Sequence, residues 1–130
     1  MCLRVEKINH SYKYEMINGE KMIPVWKILS ESLISPYYSY PWKHGWNISD
    51  YDYDRPYLLS ENIYHGFHFY LSKKDAIRTV ADYYYGGYFG DFMDSARVCK
   101  MYIRKEDIIG KGTFHYRKSI VASRAYFPGD

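Results

Sequence analysis

The residues of this sequence whose types and spacing could do chemistry gather between His65 and Ala81. Gly66-Phe67-His68-Phe69-Tyr70-Leu71 alternates Phe67, Phe69 and Leu71 against His68 and Tyr70, the pattern of a half-buried strand with an imidazole and a phenol on its second face. Gly66 permits close backbone approach. Ser72, with Asp75 three residues on, approximates a capping box, so a helix starts there with an amino end that receives anions. A strand that delivers one His and one Tyr beside a helix start can wall a nucleotide-like ligand. The same pair also suits a hydrogen-bonded His and Tyr on a covered sheet face, and the sequence leaves both readings open.

Other chemistries find less support. His65 and His68 point to opposite faces if they share a strand, and no His-Glu-x-x-His pattern is present, so no metal site is expected. No Gly-x-Ser-x-Gly elbow motivates a Ser/His/Asp triad. Ser49-Asp50-Tyr51-Asp52-Tyr53-Asp54 lacks the central Gly and terminal Glu of a calcium loop and reads as a solvated acidic loop. Cys2 and Cys99 are too few for a disulfide framework. Cys2 would carry thiol and amine together if Met1 were removed, but no partner for such a nucleophile is visible, whereas Cys99 reads as a small buried hydrophobe.

The elements that must position these groups are legible in part. Leu3 to Ile8 reads as a short first strand. Tyr12 to Ile17 and Glu20 to Ile28 flank Asn18-Gly19, a strong hairpin signal because both residues tolerate the positive φ of a type I′ turn. Pro24, with no N–H, belongs at an edge, a bulge or a break. Residues 30–64 read as one long irregular connection, apart from a possible helical turn at Ser30 to Ile34. A connection of that length is often functional. Within it, the rings of Tyr37, Tyr38, Tyr40 and Trp42 must cover the core or line a pocket, and Tyr37, Tyr38 and Trp42 are taken as ligand-binding candidates. The helix after Ser72 presents Ala76, Ile77, Val80, Ala81 and Tyr84 on its apolar face and stops at Gly86-Gly87. Cys99, Met101 and Ile103 then alternate with Lys100, Tyr102 and Arg104, and Thr113 to Arg117 and Ile120 to Ala125 complete the strands. The order predicts an α+β fold: a curved, mostly antiparallel sheet with one principal helix and a long aromatic loop.

Composition bounds the function classes. The 130 residues form a single expected domain, 1–130, and 47% hydrophobic content is enough for a core. With 17 Tyr, 6 Phe and 3 Trp, aromatic residues make up 20% of the chain, while mean hydropathy stays at −0.50. No stretch approaches the roughly 18 apolar residues of a membrane span, so no membrane partner and a cytoplasmic location are expected. A net charge of +3 is too mild for a dedicated duplex binder. The charge is uneven, however: residues 96–130 hold 8 Lys/Arg against 3 Asp/Glu. Arg117, Lys118 and Arg124 are the candidates there for phosphate or nucleic-acid contact, and a solvated strand face is the alternative.

Gly66-Phe67-His68-Phe69-Tyr70-Leu71-Ser72 with Asp75-Ala76 resembles the second motif of ADP-ribosyltransferase-like folds, a Gly-aromatic strand leading into a helix. The chain also resembles small bacterial and phage proteins that start Met-Cys-Leu. These continue with Val-aromatic-Lys (Val25-Trp26-Lys27), Ser-Pro (Ser35-Pro36) and Gly-Phe-His, and end with strands like Val98-Cys99-Lys100 and Val121-Ala122-Ser123. The resemblance implies a split, curved sheet whose cleft holds nicotinamide dinucleotide (NAD) in active relatives. It places Lys27 at the first-strand position that contacts the ribose, Gly66, His68 and Tyr70 on the second strand, and Ser72 at the helix start; Ser35, of the Ser-Pro step, is a further ligand-binding candidate. A catalytic Glu should follow near the last strands. Ser119 to Tyr126 contains none, and Glu106 is the only Glu after Glu61. The expectation is therefore a ligand- or partner-binding protein without transferase catalysis, needing no cofactor, with NAD or another nucleotide as ligand. An active transferase or nucleotide-processing enzyme, and a nucleic-acid or protein interaction module such as a small phage inhibitor of a host factor, are the alternatives.

Overall fold

In the computed structural model, residues 3–5, 12–30, 33, 40–49, 62–63, 66–86, 96–114 and 117–129 are described. The local signals set the elements. Asn18 (φ 53°) and Gly19 (φ 78°) both take the left-handed region and turn β2 (Glu15–Ile17) back into β3 (Glu20–Leu29). Ser72 caps α1 (Lys73–Gly86), its Oγ accepting the Asp75 N–H at 3.4 Å. Around these run β1 (Leu3–Val5), β4 (Gly45–Ile48), β5 (Asn62–Ile63), β6 (Phe67–Tyr70), β7 (Arg97–Ile103), β8 (Ile108–Phe114), β9 (Arg117–Ala122) and β10 (Arg124–Phe127). The α+β expectation holds: every described pairing is antiparallel, with one helix.

The ten-stranded sheet runs β4-β10-β7-β3-β6-β9-β8-β1-β5, with β2 hydrogen-bonded to β3 alone. Its two halves are joined by one cross-strand pair, Trp26 with Tyr70. By contrast, β3 and β7 stay in register from Ile23–Ile103 to Leu29–Arg97. The chain itself shows that the sheet is curved. β9 and β10 are four places apart in strand order, which in a flat sheet would be about 19 Å. Only Ser123 separates them in sequence, so the sheet curls until the two meet. Ser123 is held there: its N–H donates to the Asp107 carbonyl at 2.9 Å, and its own carbonyl accepts the Ser49 N–H at 2.9 Å.

The concave face is the core. Ile23, Val25 and Leu29 of β3, Met101 and Ile103 of β7, Phe127 of β10, Phe67 and Phe69 of β6 and Ile120 of β9 form one cluster drawn from both halves. Cys99 is buried among them, as its alternation predicts. On the other face, Ala76 and Val80 of α1 pack over Trp26, Ile28, Tyr70 and Val98. Burying each large apolar side chain contributes about 1.5–3 kcal/mol, which makes the nonpolar register the main determinant of the arrangement.

Several expectations need correction. The stretch 30–64 is not one loop, because β4 and β5 lie within it, Trp46 sits on β4 and Trp42 is a core residue. Four residues are too few to show alternation, and buried Asn47 masks it further. Leu33 (φ 62°) closes a turn on Ser30, its N–H 2.9 Å from the Ser30 carbonyl. Pro24 is interior to β3 and buried, paired with Tyr102; on its other side it falls between the end of the β2 pairing at Met22 and the β6 pairing at Trp26. Ile77 is 49% exposed and Ala81 is exposed, while Thr79 turns inward with its hydroxyl on the Asp75 carbonyl. β8 begins at Ile108, and Arg117 opens β9 rather than closing the strand before it.

Candidate functional site

Alternation decides which face each candidate occupies. Trp26 faces Tyr70, so Trp26, Ile28, Tyr70 and His68 lie on the helix side of the sheet, while Lys27 lies on the core side with Phe67 and Phe69. Lys27 is 6% exposed. Its Nζ donates to the main-chain carbonyl of His68 at 2.8 Å and lies 5.4 Å from the Phe69 ring centre and 5.8 Å from that of Trp42. Had the β3–β6 ladder continued past Trp26–Tyr70, Ile28 would face His68. The strands diverge instead, and the Lys27 amine takes the carbonyl that the ladder leaves open. Burial lowers its pKa from 10.5 to about 7. An ammonium group has three donors, and one has an acceptor among the described residues.

Trp42 adds a ring to this site. It packs on Phe67 at 4.5 Å between ring centres and on Phe69 at 6.0 Å, and Tyr40 meets Trp42 edge-on at 5.2 Å and Phe67 at 4.9 Å. What holds Trp42 is Asn47, which is fully buried. Its Nδ2 donates to the carbonyls of Lys43 (2.9 Å) and Gly45 (3.1 Å), and its Oδ1 accepts the Lys43 N–H (3.1 Å) and the Tyr40 hydroxyl (3.2 Å). All four of its hydrogen-bonding positions are used. The Trp42 backbone N–H adds a bond to the Leu33 carbonyl at 2.8 Å.

His68 and Tyr70 share the opposite face but do not wall an open cleft. Tyr70 lies under α1, and burial pushes its hydroxyl up to about 12, opposed by a hydrogen bond with Thr79. His68 pairs with Val121 and directs Nδ1 at the Gly66 carbonyl, 3.3 Å away, which requires the proton on Nδ1. Gly66 (φ 89°) is needed on two counts, since a Cβ there would lie 2.7 Å from Val121 Cγ1 and 2.8 Å from Ile109 Cδ1. The structure therefore brings Lys27 and Trp42 together and sets Gly66, His68, Tyr70 and Ser72 behind them, with the His68 carbonyl accepting the Lys27 amine. Ser35, Tyr37 and Tyr38 lie outside the described residues, as do Cys2, His65 and the acidic run 50–54.

The three basic candidates also part company. Arg124 donates from Nε (3.3 Å) and Nη2 (3.1 Å) to Asp107 Oδ1 at the β9–β10 bend. Arg117 and Lys118 open β9 instead, where the Lys118 carbonyl accepts the Leu71 N–H at 3.3 Å beside the start of α1. Sequence reasoning missed Asn47 and Asp107. Asp107 is 6% exposed and its Oδ2 has no hydrogen-bond partner among the described residues. Nothing local distinguishes either residue, because its role comes from strands far away along the chain.

Among the described residues no group of three His, Cys, Asp or Glu side chains could hold a metal ion, and no helix is long and apolar enough to cross a membrane. No family model matches the chain, and neither a curated protein nor a solved structure matches it.

Proposed function

We propose that this is a ligand-binding protein on a split, curved sheet similar to the ADP-ribosyltransferase fold, without the transferase reaction. The observation that carries the reading is the buried Lys27 amine, held beneath Trp42 where β3 and β6 part, with donors to spare. A buried cation with one neutral acceptor lowers stability, and an apolar residue of the same length would suit the core better. Such a residue marks a site kept for binding rather than for folding. The ligand class that suits it offers oxygen acceptors to the amine and a flat ring to Trp42 and the Phe pair. NAD and its nucleotide fragments have both.

Two features support binding over transfer. The segment that the resemblance assigns to a catalytic Glu holds Ser123 and Arg124, and the acid brought against it, Asp107, is engaged by Arg124. Thermal denaturation with NAD, ADP-ribose, nicotinamide and mononucleotides tests the reading. A ligand at 100 times its Kd adds about 2.7 kcal/mol, a rise of several degrees in Tm, which Lys27→Met removes. No shift with any of these ligands sinks the reading, and release of nicotinamide from NAD would replace it with catalysis.

A further inference from the structure

Lys27 differs from the other described lysines in what surrounds its amine. The others are exposed, and Lys100 also pairs with Glu15, while Lys27 is buried. Its Nζ meets no carboxylate among the described residues. The rings of Phe69 and Trp42 lie 5.4 and 5.8 Å away, and Phe67 packs on Trp42 at 4.5 Å. The amine also lies where the sheet is broken. β3 and β6 part after Trp26–Tyr70, so no continuous β3–β6 ladder runs past it.

These surroundings favour the neutral amine over the ammonium. Burial disfavours the charge, no described carboxylate offsets it, and the pKa falls to about 7. A neutral amine holds two hydrogens and one lone pair. One hydrogen is donated to the His68 carbonyl at 2.8 Å, and the lone pair has no partner among the described residues. A desolvated lysine of this kind is a nucleophile towards carbonyl groups, which an ammonium is not. The grouping of an amine without an ion pair and three aromatic rings carries the inference.

We infer that Lys27 is a covalent capture site, whose amine condenses with the aldehyde group of a ligand to form an imine beside Trp42, Phe67 and Phe69. The Nζ lone pair bonds to the carbonyl carbon, the two amine hydrogens leave with the carbonyl oxygen as one water, and a C=N bond remains. The step is redox-neutral and needs no co-reactant. Once protonated, the imine nitrogen keeps one N–H for the His68 carbonyl. Two sources offer the aldehyde. One is a simple aromatic aldehyde, which suits the rings. The other is the open-chain form of a reducing sugar, which ADP-ribose has at its terminal ribose and NAD lacks, because nicotinamide occupies that carbon. The inference rests on the reading that the Lys27 site takes a ligand, and it goes further in making the bond covalent.

Reductive trapping tests this. The protein is incubated near neutral pH with benzaldehyde, ADP-ribose or NAD and with cyanoborohydride, which reduces an imine to a stable secondary amine, and adducts are mapped by peptide mass spectrometry. We expect at least one of the two aldehyde sources to modify Lys27 at least about tenfold faster than the exposed Lys43 and Lys105, and NAD to leave Lys27 unmodified. The rate at Lys27 should level off above about pH 7. Protein unfolded in urea should lose the preference, because the fold creates it. Trapping by benzaldehyde alone supports the imine and assigns the site to simple aldehydes, and trapping by ADP-ribose assigns it to reducing sugars. No adduct at Lys27 with either, equal rates at all three lysines, or a preference that survives in urea overturns the proposal. The two readings of the site fail separately. A rise in Tm with nucleotides but no adduct overturns the imine and leaves binding standing, whereas an adduct with no rise in Tm keeps the imine and removes the nucleotide.

Discussion

Trp26 faces Tyr70 across the sheet, and this one pair is the whole of the described ladder between β3 and β6. One residue further along β3, Lys27 spans the widening gap with its side chain rather than its backbone, reaching the His68 carbonyl. The amine thus serves as a substitute rung, at the cost of burying a titratable group.

That cost gives a pH signature. The native amine has a pKa of about 7 against 10.5 for an ordinary lysine, so between those values the unfolded chain holds the proton that the native state has released. Stability therefore rises with pH across this window, and the full difference corresponds to about 5 kcal/mol. Lys27→Met should be more stable than wild type at pH 6. Its advantage should shrink as pH approaches 10, where the neutral amine still satisfies the carbonyl and Met does not. Urea denaturation of both proteins at several pH values measures this, and a difference that stays flat with pH would refute the buried, depressed amine.

Trp42→Ala removes a buried ring from the Tyr40–Phe67–Phe69 cluster and should cost about 3–5 kcal/mol. It also opens Lys27 to water, so the amine should move back towards 10.5. The rate at which an amine-reactive reagent labels Lys27, followed against pH by mass spectrometry, should shift upward accordingly.

Asn47→Ala deletes four hydrogen bonds of a fully buried side chain and leaves the Lys43 and Gly45 backbone groups without their partners, a loss of about 2–4 kcal/mol. Asp in its place should cost a similar amount, because a carboxylate cannot donate to those two carbonyls. Denaturation curves that match wild type for either variant would show that the Trp42 segment is held some other way.

Gly66→Ala forces a left-handed backbone on alanine and drives its methyl into Val121 and Ile109. A loss of at least about 2 kcal/mol is expected. Val121→Ala in the same background should recover part of it, which a purely conformational penalty would not allow.

The parts of this fold that were legible in the sequence are the local ones. Asn18-Gly19 declares a turn by its own chemistry, Ser72 announces a helix, and Cys99, Met101 and Ile103 alternate over a strand long enough to show it. Lys27 is legible as a candidate, but its surroundings are not, because an alternating pattern gives two faces without saying what covers each. His68 and Tyr70 read as one wall of a cleft, but both are buried, Tyr70 beneath α1 and His68 on the strand pair with Val121. Trp42 looked like a loop residue because the strand that fixes its segment is four residues long and centred on a polar side chain. Ser123 shows the limit most clearly, since no neighbour in sequence signals that one residue carries the chain from β9, beside β6, to β10, beside β7.

That crossing has a kinetic consequence. The half β4-β10-β7-β3 and the half β6-β9-β8-β1-β5 are not successive lengths of chain, because the polypeptide moves between them after β1, after β4, through α1, through Lys105–Asp107 and at Ser123. The half β6-β9-β8-β1-β5 waits for β9, and the half β4-β10-β7-β3 is not complete until Arg124–Phe127 has inserted between β4 and β7. Most of the closure entropy must be spent before the core closes, which places this chain among slow-folding, high-contact-order topologies. A nascent chain leaving the ribosome would hold the edges of β4 and β7 that β10 covers unpaired until Arg124–Phe127 emerges.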